Sequence, residues 1–281
     1  MKDNCHYPFV ALTYGCNFNC RYCFIRGLEK EFPAPMSVEN FSKLAKWIKK
    51  QKTVTAISLW GGEPTVHPQF REILDICKKE KLTVRLFTNN FFNDSVVEKL
   101  SNDYIQMVSI DYFSPLQNNS RVYKQYLRNL DNLFKKNIRF HFFCRLPLPE
   151  EDYCDFIEKL KKYRTFAQGR FLLPGFSGPE IEIKELKASA KSVLKFLKLI
   201  DKEGLFFTIR DSVPRCIFPD EKWEYLRERH KARTRCYPGD YNPFDKVKMG
   251  YACLMTINPD LSISVSYTHL RAHETVLDLV C

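Results

Sequence analysis

The sequence has no uninterrupted run of about 18 apolar residues, the length that a membrane-spanning helix needs, because charged residues break every candidate stretch. Its amino terminus, MKDNCHYPFV, lacks an apolar signal core before a small-residue cleavage site. There is no internal repeat and no low-complexity linker. We therefore expect a soluble cytoplasmic protein with no membrane partner, built as one large domain or as one domain with a small appendage.

Cysteine is too scarce for a disulfide scaffold. The 281 residues contain 11 cysteines, an odd number, whereas short disulfide-rich chains exceed about 8% cysteine. Without a secretion signal, clustered cysteines more often indicate a metal site.

Basic residues outnumber acidic ones: the sequence contains 44 Lys and Arg and 33 Asp and Glu, so its formal net charge is +11. This balance suits an acidic partner, such as an acidic peptide or a phosphorylated small molecule; nucleic acid is not favoured. The alternative is a solvated basic surface, because several lysine pairs fall at predicted helix ends and offset the helix dipole there.

The carboxyl-terminal segment VSYTHLRAHET, residues 265–275, resembles a translated transposase sequencing adapter. We therefore expect residues 265–281 to be a non-native tail and the natural sequence to be interrupted near Ser264. His269, His273 and Cys281 lie in this tail and are therefore not expected to be metal ligands.

Apolar runs alternate with amphipathic stretches along the chain. The predicted strands are Pro8–Thr13, Val54–Trp60, Thr83–Phe87, Ile105–Ile110, Arg139–Leu146 and Gly169–Leu173. The predicted helices are Val38–Lys50, Pro68–Glu80, Ser95–Ser101, Val122–Lys136, Tyr153–Tyr163 and Lys184–Lys202. Leu205–Arg210 is a further candidate strand.

Six strand–helix units in succession predict an α/β fold, a partial (β/α)6 barrel of parallel strands that is too short to close. After Gly204 the periodicity fades, and Pro, Cys, Tyr and basic residues become frequent. We expect a barrel domain at residues 1–204, a small irregular cysteine-containing module at 205–264, and the tail at 265–281.

Three cysteines, Cys16, Cys20 and Cys23, lie within eight residues directly after the first predicted strand. Thiolates at this spacing repel one another unless a metal neutralises them. A structural zinc ion would need a fourth ligand, which only Cys5 or His6 offers nearby. Three thiolates on a four-iron cluster leave one iron open instead, so a catalytic cluster fits better and zinc remains the alternative.

The segment CNFNCRYC matches the pattern Cys-x3-Cys-x-aromatic-Cys, and at these residues the sequence resembles the radical S-adenosylmethionine (radical SAM) superfamily. The resemblance implies a [4Fe–4S] cluster on Cys16, Cys20 and Cys23, with S-adenosyl-L-methionine bound at the open iron. Reductive cleavage of the bound S-adenosylmethionine would give a 5′-deoxyadenosyl radical that abstracts a hydrogen atom from the substrate. Tyr22 takes the aromatic position, which lies beside the adenine in the family.

Strand two ends in Gly61-Gly62-Glu63-Pro64. Two glycines allow a close approach of the backbone to a ligand, and a carboxylate can accept a hydrogen bond from an ammonium group. A tight turn before a helix is the alternative explanation. In the family this segment binds the methionyl amino group, and its position downstream of the cysteines strengthens the resemblance.

Further polar residues end the next predicted strands, at the sheet edge where ligands of parallel barrels bind. By family position they would contact S-adenosylmethionine: Asn89, Ser109, Asp111 and Arg145. Ordinary capping of strand ends is the alternative for each of them.

The remaining cysteines divide into two groups. Cys77, Cys144 and Cys154 fall in predicted helices or strands and are expected to be buried as small hydrophobes. The other three lie in the irregular module and are candidate ligands of an auxiliary cluster: Cys216, Cys236 and Cys253.

The end of that module, CLMTINPDLSIS, is similar to auxiliary-cluster regions of the SPASM/twitch type, which occur in peptide-modifying and molybdopterin-type radical SAM enzymes. Leu261 replaces the usual glycine of the turn, and the final cysteine of the pattern would fall where the adapter-like tail begins. The resemblance thus implies a second [4Fe–4S] cluster in the full-length parent, incomplete in this chain. A reduced or zinc-binding cysteine trio is the alternative.

The expected substrate class is inferred from this module alone. A peptide or protein substrate, modified as in the maturases, is favoured, and a nucleotide or other small molecule is the alternative. A third reading, from another class, is a non-catalytic metal protein for structure or sensing, although such a protein has no need of the GGEP segment. The resemblance also implies an electron donor such as flavodoxin or ferredoxin.

Overall fold

The fold is given by a computed structural model, which describes residues 7–20, 23, 25–112, 120–171, 183–209, 212–213, 217–234, 256–264 and 274–275. Among these residues, no helix has both the length and the apolar character needed to cross a membrane. The architecture is α/β, with a largely parallel sheet whose edges do not join. The predicted open barrel is thereby confirmed.

Seven strands lie side by side in chain order and pair in parallel. They are β1 (Phe9–Thr13), β2 (Ile57–Gly61), β3 (Val84–Thr88), β4 (Ile105–Asp111), β5 (Phe140–Leu146), β6 (Ala167–Phe171) and β7 (Phe207–Ile209). The unbroken order places every carboxyl-terminal strand end at one edge of the sheet, where the site must be sought.

Helices connect the strands. They are α1 (Leu28–Glu31), α2 (Val38–Lys50), α3 (Phe70–Lys79), α4 (Asp94–Lys99), α5 (Ser120–Lys135), α6 (Tyr153–Lys162), α7 (Ile183–Lys202) and α8 (Asp220–His230), with short 3-10 turns at Pro64–Val66 and Glu150–Asp152. The Ser37 side chain accepts a hydrogen bond from the Asn40 N–H and so begins α2 at the predicted residue.

Alternation along the strands separates two faces of the sheet. Val10 and Leu12 of β1 and Phe142 of β5 belong to the large core beneath the helices. Their neighbours Phe9 and Ala11 point the other way, into a second apolar cluster that includes residues of α1. We call this second side the inner face of the sheet.

The carboxyl-terminal part of the chain returns to the first strand. β10 (Thr256–Ile257) pairs in parallel with β1, and it is followed by the antiparallel strands β11 (Ser262–Ser264) and β12 (Glu274–Thr275). The Tyr14 hydroxyl donates to Asn258 Oδ1 at 2.6 Å. A further two-stranded sheet consists of β8 (Ser212–Val213) and β9 (Arg233–Thr234).

Two sequence predictions differ from the structure. Helix α8 lies in the segment predicted to be irregular; its residues are polar around nearly the whole circumference, so it carries no apolar periodicity. Cys154, predicted to be buried, is exposed, because α6 turns Tyr153, Phe156 and Leu160 toward the core instead. Cys77 and Cys144 are buried, as expected.

Candidate functional site

The three clustered cysteines lie on the connection that leaves the carboxyl end of β1. We call residues 16–23 the cysteine loop. Cys16 is exposed, and Cys20 and Cys23 are half-buried. Tyr22, the predicted neighbour of the adenine, lies outside the described residues, as do the alternative zinc ligands Cys5 and His6.

Backbone turns gather the thiols within this loop. The Phe18 N–H donates to Cys16 Sγ at 3.4 Å, and the Cys23 N–H donates to the Cys20 carbonyl at 3.1 Å. The Arg26 guanidinium donates to the same carbonyl at 2.7 Å. A positive charge therefore lies against the turn that carries two of the three cysteines.

The other two thiols are close enough to affect the ionisation of Cys16. Burial raises the pKa of the Cys16 thiol to about 11, and the negative charges of Glu63, Cys20 and Cys23 add to the rise. A bound cation would reverse this repulsion, since thiolates are stabilised by metal.

Within the part of the chain that the structure describes, no three Cys, His, Asp or Glu side chains converge as they would around a single ion. In a four-iron cluster each thiolate binds a different iron, so the sulfurs need not share one point. Three accessible thiols on one short loop are a donor set that fits such a cluster.

Gly61, the last residue of β2, and Gly62 lie against residues 13–15, which directly precede the cysteine loop. A Cβ on Gly61 would lie 2.1 Å from the Thr13 carbonyl oxygen, and a Cβ on Gly62 would lie 2.2 Å from that of Gly15. Gly62 N–H donates to the Thr13 carbonyl at 2.8 Å, and Glu63 N–H donates to the Gly15 carbonyl at 3.0 Å. The close approach that the sequence analysis ascribed to a ligand is made here by the chain's own backbone.

Glu63 is 1% exposed, and its carboxylate points toward the end of β3. Its Oε1 accepts from the Thr65 hydroxyl at 2.6 Å, the Thr65 N–H at 3.2 Å and the Thr88 hydroxyl at 2.8 Å, and its Oε2 accepts from the Asn89 N–H at 2.7 Å. Burial raises the pKa of Glu63, and these donors oppose the rise. Oε2, with a single donor, keeps the capacity to accept another hydrogen bond.

Asn89 connects the cysteine loop to the end of β3. Its Nδ2 donates to Asn17 Oδ1 at 2.7 Å, and its Oδ1 accepts from the Phe91 N–H at 2.9 Å. Asn17 Nδ2 in turn donates to the Phe91 carbonyl at 2.9 Å. Asn17 of the cysteine loop, Glu63 of the GGEP segment and Asn89 at the β3 end thus form one hydrogen-bonded unit.

The inner face of β4, β5 and β6 carries polar side chains at the same edge. Ser109 Oγ lies 3.3 Å from His141 Nε2, and the closest approach of Asp111 and Arg145 is 3.8 Å. Arg170 of β6 is paired in register with Arg145. Burial at the strand ends raises the pKa of Asp111, although 45% of its side chain is accessible, and both arginines oppose the rise.

His141 and Arg170 were missed by the sequence analysis. In β6 the two inward positions hold Gln168 and Arg170, but in β5 Phe143 lies between His141 and Arg145, so the sequence contained only a partial signal of inward polar side chains. The predicted auxiliary ligands Cys216, Cys236 and Cys253 lie outside the described residues.

Comparison with known proteins agrees with this geometry. The family model of the Radical SAM superfamily matches residues 10–163. A Methanocaldococcus jannaschii protein, provisionally named a glycyl-radical enzyme activating enzyme, is 28% identical over 192 residues, covering 66% of this chain and 74% of that protein.

Two shorter matches bear on the substrate. The subtilosin biosynthesis protein AlbA of Bacillus subtilis is 38% identical over 79 residues, 28% of this chain and 17% of AlbA. A Metallosphaera sedula protein provisionally named GTP 3′,8-cyclase is 26% identical over 102 residues, 36% of this chain and 32% of that protein.

Among solved structures, SuiB of Streptococcus suis bound to S-adenosylmethionine aligns with a TM-score of 0.65 and 14% identity, covering 96% of this chain and 62% of SuiB. SuiB has also been crystallised with its precursor peptide SuiA. This chain therefore spans less than two thirds of SuiB. The superfamily model matches more than half of this chain, so this protein is an enzyme of the radical SAM superfamily.

Proposed function

We propose that this enzyme holds a [4Fe–4S] cluster on Cys16, Cys20 and Cys23 and acts on a peptide or protein substrate. Enzymes of this superfamily use such a cluster and S-adenosylmethionine. When bound, these groups supply a 5′-deoxyadenosyl radical that abstracts a hydrogen atom from the substrate. The observation that carries the proposal is the single hydrogen-bonded unit formed by the cysteine loop, Glu63 and Asn89.

The chain's own residues have separate tasks in this proposal. The backbone of Gly61 and Gly62 fixes the loop against β2, and Glu63 Oε2 offers the remaining acceptor for the methionyl ammonium group. Asn89 belongs to the same predicted site. The polar edge of β4 and β5 would orient the rest of the cosubstrate, with Arg145 pairing with its carboxylate and Ser109 and Asp111 bonding its ribose or methionyl part.

A peptide substrate is supported by the name of AlbA, a bacteriocin biosynthesis protein, and by the precursor peptide bound to SuiB. The alternative, a nucleotide or another small molecule, is supported by the match to the M. sedula protein. Two arginines against one carboxylate on the inner face suit an anionic group in either substrate.

The proposed division of the chain is a radical SAM barrel at residues 1–204, an auxiliary-cluster-like module at 205–264 and a non-native tail at 265–281. The turn between β10 and β11 supports the resemblance of the module. Leu261 has φ of +72°, a conformation for which glycine, the residue of the family pattern, is favoured. A second [4Fe–4S] cluster in this module would then use Cys216, Cys236 and Cys253.

Reduction requires an electron donor, for which we propose an acidic protein of the flavodoxin or ferredoxin kind in the cytoplasm. A cleft of about 420 Å³ is lined by Gln125 and by Arg121, Lys124 and Arg128, which we call the basic face of α5. Gln125 Nε2 donates to the Phe92 carbonyl at 3.2 Å. The preceding residue, Phe91, is the one that Asn17 of the cysteine loop contacts. Arg121 lies in the first turn of α5, where a cation opposes the helix dipole, and Arg128 lies 3.8 Å from Asp94.

Electron paramagnetic resonance tests the proposal on anaerobically reconstituted, dithionite-reduced protein. We expect a reduced-cluster signal that shifts when S-adenosylmethionine is added, and no such signal in Cys20→Ala. The matched control is Cys154→Ala, an exposed cysteine on α6, which should retain the wild-type signal. Stoichiometric zinc without a cluster signal would contradict the proposal and favour the zinc alternative.

The substrate class needs a separate assay. Hydrogen abstraction from a precursor peptide encoded beside the full-length gene would transfer deuterium from the labelled peptide into 5′-deoxyadenosine. Transfer from a nucleotide but from no peptide would favour the alternative substrate.

A further inference from the structure

The cysteine loop is attached to the end of β3 by contacts that involve none of its thiols. Asn17 lies between two cysteines of the motif, and its amide makes two hydrogen bonds to residues of the β3 end. It accepts from Asn89 Nδ2 at 2.7 Å and donates to the Phe91 carbonyl at 2.9 Å. One side chain therefore holds the first half of the loop at two points.

The receiving residue is itself fixed. Asn89 Oδ1 accepts from the Phe91 N–H at 2.9 Å, and the Asn89 N–H donates to buried Glu63 Oε2 at 2.7 Å. Exchanging the amide oxygen and nitrogen of Asn89 would set donor against donor and acceptor against acceptor, so only one orientation satisfies both contacts. The side-chain amide of Asn89 is thus oriented toward Asn17 in the absence of a ligand.

An aromatic contact supports the same attachment. The rings of Phe18 and Phe91 are stacked, with centroids 5.7 Å apart and an angle of 20° between their planes. Both side chains are half-buried. Stacked aromatic pairs contribute beyond the area they bury, so the loop is held by a ring contact as well as by amides.

We propose that Asn89 and Phe91 form a dock that holds the cysteine loop in its ligating arrangement without the help of the metal. This inference rests on the proposed cluster site and gives Asn89 the role of a positioning residue, whose side chain acts through Asn17. Asn89 is otherwise predicted from family position to contact S-adenosylmethionine. The two roles make different predictions for the metal-free protein, because only the dock operates there.

Limited trypsin digestion of the metal-free protein tests the dock directly. The cysteine loop contains Arg21, and Arg26 follows it, so cleavage there reports how often the loop leaves the dock. We expect Asn17→Ala and Asn89→Ala to speed cleavage at these arginines about fivefold. The control is Asn102→Ala, since exposed Asn102 Nδ2 donates to a backbone carbonyl at 2.7 Å in a loop before β4; it should cleave at the wild-type rate.

The reconstituted protein supplies the second readout. With a strong iron chelator in excess, Asn17→Ala, Asn89→Ala and Phe18→Ala should lose iron several times faster than wild type. The fraction of Asn17→Ala and of Phe18→Ala that still holds four irons should bind S-adenosylmethionine within twofold of the wild-type affinity. Circular dichroism checks that each variant is folded. Because Asn17 is exposed and lies in the cysteine loop, Asn17→Ala changes no residue at the end of β3.

Two results would overturn the dock. One is wild-type rates of tryptic cleavage and iron loss in both Asn17→Ala and Asn89→Ala. The other is weakened binding of S-adenosylmethionine by Asn89→Ala with unchanged cleavage, which would make Asn89 a ligand of the cosubstrate. If the wild-type protein takes up no cluster at all, the proposed function fails, but the digestion of the metal-free protein still decides whether the dock exists.

Discussion

Replacing Gly62 by alanine tests whether the GGEP glycines serve the packing of the chain or the approach of a ligand. The structure answers in favour of packing. A Cβ on Gly62 would lie 2.2 Å from the carbonyl oxygen of Gly15 and 2.5 Å from that of Tyr14. Both atoms belong to the backbone, so no side-chain rotation can relieve the overlap.

The expected cost follows from these contacts. To restore ordinary contact the two backbones must separate by about 1 Å, and overpacking of this kind costs about 1–3 kcal/mol. The separation also strains two hydrogen bonds, Gly62 N–H to Thr13 at 2.8 Å and Glu63 N–H to Gly15 at 3.0 Å, each contributing about 1 kcal/mol. We expect Gly62→Ala to lower the free energy of unfolding by about 2–4 kcal/mol.

Urea unfolding of the metal-free protein and iron content after reconstitution are the two measurements. Because Gly15 directly precedes Cys16, the displaced backbone should also lower the iron bound per chain. Gly204→Ala is the control: its φ is +67° and no other atom lies within 4 Å of the added Cβ. It should cost about 1 kcal/mol through backbone strain and leave the iron content unchanged.

The reasoning would be refuted if Gly62→Ala unfolded within about 1 kcal/mol of wild type and bound the same amount of iron. Weakened binding of S-adenosylmethionine in such a variant would show that the glycine makes room for the cosubstrate, as the sequence analysis supposed.

Two further predictions concern charge. Changing the three cations of the basic face of α5 to glutamates should slow cluster reduction by an acidic flavin protein about tenfold at low salt, but leave reduction by dithionite unchanged. The control is the same change at Lys43, Lys46 and Lys50 of α2, which have the same spacing along their helix. Equal slowing in this control would contradict docking of the electron donor on α5. Asp155→Ala should cost about 3 kcal/mol in unfolding free energy, because it leaves the ammonium of Lys159, 7% exposed, buried without its carboxylate. Glu203→Ala breaks an exposed pair and should cost less than about 1 kcal/mol, so similar losses would contradict that argument.

Local signals were sufficient to predict most of the barrel. Helix α2 begins and ends as predicted, because Ser37 caps it and its apolar residues recur on one side. The order of strands follows from the right-handed crossover rule once the strands are located. Strand β6 begins at Ala167 rather than at the predicted Gly169, since the apolar run alone does not mark where pairing starts.

Contacts between distant parts of the chain could not be predicted in this way. Nothing near Asn258 in the sequence indicates that its side chain accepts a hydrogen bond from Tyr14, 244 residues earlier. The same holds for Glu63, whose buried carboxylate accepts hydrogen bonds from the end of β3, 25 and 26 residues later. Residue type and position suggested the members of the site, whereas their hydrogen-bond partners depend on the three-dimensional packing.

The inner face of the sheet differs between its two halves, and the difference has a functional reason. At β1–β3 it is mostly apolar and packs against Leu28 of α1, with Trp60 and Phe9 in edge-to-face contact. Ser58 and Arg85 are also on this face, paired in register. A sheet half packed on both faces is rigid, which suits the attachment of a loop whose thiols must keep their spacing. At β4–β6 the same face presents Asp111, Arg145 and Arg170, groups that packing alone would not favour. Under the proposed function, the mostly apolar half carries the cysteine loop, and the polar half would face the cosubstrate and the substrate.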